Sequence, residues 1–189
     1  LAQGTRVVVP PAEPQLYQVC SDLARGAFVS MMEFRNHNAD VSLQHVGPLG
    51  QRLTPDSTGA LVCVLPGAQL GPQVAPNGDG GAYLAWRDDR FNPPAAVLVE
   101  VSSNGAIAPG WPSNGIVLGP FDSTLVVPAL AADDAGGAFV CWTDRSAGQR
   151  RLVCDRWTHG GVHSPGWSGT PVVLCAIGDV YSMPRMIAD

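Results

Sequence analysis

Lysine is missing from this chain: all eleven basic residues are arginine. Together with the abundance of Ala, Gly, Pro and Val, that bias points to a high-GC bacterial source. Basic clusters are also missing, and the net charge is −5, which argues against a nucleic-acid partner. No apolar run approaches the roughly 20 residues that span a bilayer as a helix. No stretch keeps a helical period. Among its five cysteines no C-x-x-C occurs, so neither a zinc ribbon nor a thioredoxin-like motif is supported. G-x-S-x-G, a P-loop and H-E-x-x-H are absent as well. No catalytic residues, metal site or cofactor are assigned, and the chain is not expected to be an enzyme.

What the chain does have is 46% hydrophobic residues with only 14% charged, punctuated by 22 Gly and 17 Pro. Apolar runs broken by turn formers indicate many short strands in a globular fold. It opens at Leu1 without an initiator Met, so the expectation is a processed, trimmed or partial chain.

One phrase is written twice. "DGGAYLAW" runs from Asp79 to Trp86 and "DAGGAFVCW" from Asp134 to Trp142. Gly81 and Gly137 stand 56 residues apart, as do Trp86 and Trp142, Trp111 and Trp167, Pro72 and Pro128, and Pro128 and Pro184. Several anchors in one register mark an internal repeat. A degraded copy, "RGAFVSM", lies 55 residues before "GGAYLAW", with Met31 at the tryptophan position. The turn ahead of each phrase carries Asp22, Asn77, Asp133 and Asp189.

Each repeat contains four short apolar runs. A four-stranded unit recurring at this length predicts a β-propeller blade. In "AFVCW" Phe139 and Cys141 point one way, Val140 and Trp142 the other, and both sets are apolar, as expected for stacked sheets. Small residues at Cys20, Ala75 and Ala131 suit innermost strands. The predicted fold is therefore all-β, an arc of four-stranded antiparallel blades with three full blades and parts of two. The expected boundaries are 1–13 for the end of a preceding blade, 14–69, 70–125 and 126–181 for whole blades, and 182–189 for the start of the next.

Several residues invite two readings. Asn77, Asp79, Asp133 and Asp134 beside glycines suggest calcium loops, but the full loop pattern is absent; tight turns account for them, with Asp or Asn bonded to the local backbone and Gly at positive φ. Asp88, Arg90, Asp144 and Arg145, with Glu33 and Arg35 at matching places, suggest a polar ligand site. Because they recur with Gly81, Trp86, Gly137 and Trp142, they read as parts of the blade. Trp111 and Trp167, before the outermost strand, either stack on sugar or plug the gap between blades. The least repeat-like polar stretch is "EFRNHNAD", which makes Glu33, Arg35, Asn36 and His37 binding candidates. Cys141 and Cys154 face each other if their hairpin turns near Ala147. Their Cα spacing is then roughly 4.5–5.5 Å, which permits a disulfide. The matching pairs, Ala85 with Leu98 and Ser30 with Leu43, hold no cysteine. His159 and His163 sit in a Gly-rich turn without further ligands nearby.

"GGAYLAWRDDR", "VEVSSNGAIAPGWPSNGIVL" and "PALAADDAGGAFVCWTDR" together resemble a repeat found in secreted bacterial proteins. There a D-G-x-G-G-A-x-x-x-W-x-D-x-R strand precedes a G-x-x-x-W-x-x-x-G-V segment. The resemblance covers nearly the whole chain and weakens in the first repeat, where Met31 replaces Trp. It implies a β-propeller that is exported or surface-attached, and it transfers no catalytic residues. The sialidase motif S-x-D-x-G-x-T-W is absent. The expected function is a structural scaffold, adhesion or protein-interaction module, outside the cell or on its surface. Its partners would be other protein chains, copies of itself in an oligomer or filament, or the rest of a longer polypeptide. The alternative is a carbohydrate-binding or glycan-processing propeller.

Overall fold

A computed structural model describes residues 7, 15–34, 37–121, 127–133, 135–146, 148–167, 169–176 and 185–187. Twelve strands form three four-stranded antiparallel sheets, each a meander in chain order. The first sheet holds β1 (Leu16–Ser21), β2 (Ala27–Glu33), β3 (Asp40–Val46) and β4 (Ala60–Cys63). The second holds β5 (Gln69–Pro76), β6 (Ala82–Asp88), β7 (Ala95–Val101) and β8 (Ile116–Pro120). The third holds β9 (Ala129–Ala132), β10 (Ala138–Asp144), β11 (Arg151–Trp157) and β12 (Val172–Ala176). The outer boundary calls, 1–13 and 182–189, fall almost wholly outside the described residues.

The repeat extends to the irregularities. Between third and fourth strands the register slips at Val41/Ser42, at Ala96/Val97 and at Leu152/Val153, equivalent points in the three copies. Single bridges Val46–Arg52, Val101–Ile107 and Trp157–His163 close the same loop in each sheet. A bulge conserved in place bends the outer strand away from its neighbours.

The phrase that announced the repeat forms the turn between first and second strands. Asp22 Oδ1 accepts the N–H groups of Ala24 and Gly26, at 2.7 and 2.6 Å. Asn77 Oδ1 accepts those of Asp79 and Gly81, at 2.9 and 2.8 Å. Asp133 Oδ1 accepts those of Ala135 and Gly137, at 2.8 and 2.7 Å. These are Asx-type turns, in which a side-chain oxygen satisfies the donors that the reversal leaves open. The two glycines serve separate needs. Gly80 and Gly136 adopt φ of +81° and +79°, a region that a Cβ disfavours. Gly81 and Gly137 lie so close to the third strand that a methyl would overlap the carbonyl oxygens of Val101 and Trp157. In the first sheet Arg25 takes the positive-φ place, at +70°, while Gly26 keeps the close approach.

Burial on both faces makes the sheets a stack. Every residue of β7 is buried, and β6 is buried except at Arg87. β12 is exposed along its length. The first strands converge: β5 packs against β1 and β2, and β9 against β5 and β6. The fourth strands diverge outwards. The result is an unclosed arc of blade-like sheets, with first strands innermost. Among the described residues no helix is long and apolar enough to cross a membrane.

Candidate interaction site at the sheet joints

The side chains with the densest polar bonding lie at equivalent places in the three sheets, and in the first two they reach across to the next sheet. They occupy three equivalent stations, each pairing the turn residue with a third-strand residue opposite the aromatic of the second strand. In the first sheet His45 lies across from Phe28 and stacks on it at 4.2 Å. Its Nε2 is 3.0 Å from Asp22 Oδ2, and its Nδ1 is 2.8 Å from the carbonyl oxygen of Ser103 in the second sheet.

In the second sheet the station is Glu100, across from Tyr83. Asn77 Nδ2 donates to Glu100 Oε1 at 2.5 Å, and Trp111 Nε1 donates to Oε2 at 3.0 Å. His159, from the third sheet, brings Nδ1 to 2.6 Å from Oε1. Trp111 Nε1 also reaches the carbonyl oxygen of His159, at 3.1 Å, and Tyr83 donates its hydroxyl to the Gly136 carbonyl at 2.7 Å. Trp111 is thus buried inside the joint, edge-on to Tyr83.

In the third sheet the station is Arg156. Its Nε donates to Asp133 Oδ2 at 2.8 Å, and its guanidinium lies over Phe139 at 5.2 Å. Trp167, half-buried, meets Phe139 edge-on at 5.8 Å.

The charges match at each station: aspartate faces His45 and Arg156, whereas the neutral amide of Asn77 faces the acid Glu100. Burial opposes the Asp22 carboxylate, but the His45 hydrogen bond and the Ala24 and Gly26 N–H groups outweigh it and hold its pKa below the usual value. The same balance lowers Asp133, through Gly137, Arg156 and Ala135. Burial raises the pKa of Glu100, against the pull of Asn77, His159 and Trp111.

A second repeated set ends the second strand. Trp86 Nε1 donates to Asp88 Oδ2 at 3.0 Å, and Arg90 grips both Asp88 oxygens, with Nε at 2.8 Å and its terminal nitrogen at 2.6 Å. In the third sheet Asp144 pairs with Arg151 of the adjacent strand and with Ser146, while Arg145 is exposed. Trp142 is buried, and its indole N–H has no acceptor among the described residues.

The remaining candidates do not gather. Glu33 is fully buried at the end of β2, across from Asp40. His37 is exposed with φ of +62°. Arg35, Asn36, Asp134 and Ala147 lie outside the described residues. Trp111, Trp167 and His37 belong to loops of three different sheets. Cys141 and Cys154 face each other in register, and both are free thiols. Among the described residues no three His, Cys, Asp or Glu side chains form a metal-holding group.

No protein-family model matches this chain, and no curated protein matches it.

Sequence reasoning missed His45, Glu100, Arg156 and Arg151, and it left His159 without a partner. The signal for Glu100 was a single acid inside the apolar run "AVLVEV". Arg151 could be found only from the register that places it opposite Asp144. His159 had been assigned to a loop without partners, because its partner belongs to another sheet.

Proposed function

We propose that this chain is a non-catalytic propeller-type module, a scaffold or protein-interaction unit that works outside a bacterial cell or on its surface, in the manner of the secreted repeat proteins it resembles. One observation carries the reading. At the equivalent stations of the three sheets, the charged and amide side chains hydrogen-bond within the stack: Asp22 with His45, Asn77 with Glu100, Asp133 with Arg156. Side chains committed to the fold are not available to a substrate, and the first two stations also tie their sheet to the next, His45 to Ser103 and Glu100 to His159. The exposed apolar residues of β1 and β12, Tyr17, Val19, Val172, Val173 and Leu174, then supply the contact surface.

The carbohydrate-binding alternative rests on Trp167, half-buried beside Phe139 and Arg156. A paired test separates the two readings. Sedimentation equilibrium of the purified chain reports self-assembly, and a glycan array reports sugar recognition. The scaffold reading expects species heavier than 19.7 kDa and no glycan signal. A monomer with a glycan signal that Trp167→Ala abolishes would replace it with the alternative.

A further inference from the structure

At one place the third sheet departs from the chemistry of the other two. Each sheet has a station formed by one residue of its second strand, the facing residue of its third strand, and one residue of the segment that packs across them. In the first sheet these are Ser30 and Leu43, with Val74 at the repeat-equivalent place in β5. In the second they are Ala85 and Leu98, with Leu130 of β9. Packing there calls for one small and two aliphatic side chains. In the third sheet the same places hold Cys141, Cys154 and Met186.

All three become sulfur together. Cys141 and Cys154 are register partners, only 3% and 5% exposed. The Met186 sulfur lies 3.4 Å from Cys141 Sγ. The surrounding wall is apolar, formed by Ala129, Phe139, Leu152 and Trp167. The Cys141 thiol donates to the Met186 sulfur, and the Cys154 thiol lies 3.9 Å from the Asp155 carbonyl oxygen.

We propose that Cys141, Cys154 and Met186 form a binding site for a soft monovalent metal ion, copper(I) in type. Thiolate and thioether ligands select such ions. Zinc fits poorly, because structural zinc takes four ligands from Cys, His and carboxylates, and this set offers two thiols and a thioether. On binding, both thiols give up their protons to solvent, two S–Cu bonds form, and the thioether completes a three-coordinate shell with no change of oxidation state. Repeat packing alone does not account for the triad, since Ala, Leu and Leu serve at the same station one sheet away.

The test uses reduced protein, without oxygen, titrated with copper(I) supplied as its acetonitrile complex against a chromogenic copper(I) chelator. The wild type is expected to withdraw one ion per chain, with a sulfur-only first shell by X-ray absorption. Met186→Leu should weaken retention by at least about ten-fold, the scale that loss of even an outer partner brings at a metal site. The triple variant C141A/C154L/M186L installs the second sheet's own residues, so it preserves the packing and should withdraw none. Its circular dichroism confirms the fold. A wild type that withdraws no copper(I), or a triple variant that withdraws as much through Cys20, Cys63 or Cys175, would overturn the site.

Discussion

Asn77 donates its amide hydrogen to Glu100 Oε1 at 2.5 Å, at the station where the flanking sheets set Asp22 against His45 and Asp133 against Arg156. The one sheet with an acid at this third-strand station is the one with an amide in its turn. Asn77→Asp would place a carboxylate against buried Glu100. The expected loss is about 3 kcal/mol, the scale of an uncompensated buried charge. The double variant N77D/E100R copies the third sheet's pair and should recover most of it. Urea denaturation of the two variants reads the difference; equal stability would refute the matching rule.

The pH response of the stations has two opposing signs. Asp22, Asp133 and Asp144 all have folded pKa values below the ordinary aspartate range. Each contributes stability that is full above the unfolded value and is lost as pH falls through the lower folded one. Glu100 is raised above 4.5, so its contribution is full below the unfolded value and is lost as pH rises through the folded one. Thermal melts across pH 2–8, with pH values as approximate limits, should therefore show a shallower acid limb for Asp133→Asn and a flatter slope above pH 4.5 for Glu100→Gln. An unchanged Glu100→Gln profile would mean that the acid is solvated.

Gly81 and Gly137 were legible from the doubled phrase, but the reason for the second glycine was not. It depends on the distance to the Val101 and Trp157 carbonyls, which only the folded hairpin sets. Gly81→Ala and Gly137→Ala should each cost about 1–3 kcal/mol from forced overlap, whereas Gly160→Ala, at an exposed turn where a methyl would meet only Thr158 Oγ1 at 4.0 Å, should be near neutral. Chemical denaturation of the three variants checks the order.

The tryptophans separate by what they touch. Trp86 is completely buried and bonded to Asp88, and Trp86→Ala should cost about 3–5 kcal/mol. Trp167 is half-buried at the outer side of the third sheet, and its removal should cost distinctly less. Equal losses would contradict the placement.

Strand number, blade order and two-sided burial were legible because they follow from short-range alternation and from a repeat that copies itself every 55–56 residues. Turn chemistry was legible at Asp22, Asn77 and Asp133 for the same reason. Glu100, His159 and Arg151 were not, because their roles arise across strands or across sheets, and nothing local to "VLVEV" or "THGGVH" names the partner. Asp144 shows the limit plainly. Asp144 and Arg145 read as neighbours in one polar set, but Arg145 is exposed, and the hairpin register delivers Arg151 to Asp144.

The central claim is that the three sheets form one interlocked stack, held at equivalent joints. Strand-resolved hydrogen exchange tests it most directly. The account predicts that β2, β3, β6, β7, β10 and β11 share the slowest class and open together, and that Glu100→Ala speeds exchange in both the second and third sheets. Independent opening of the three sheets, or an effect of Glu100→Ala confined to β7, would contradict it.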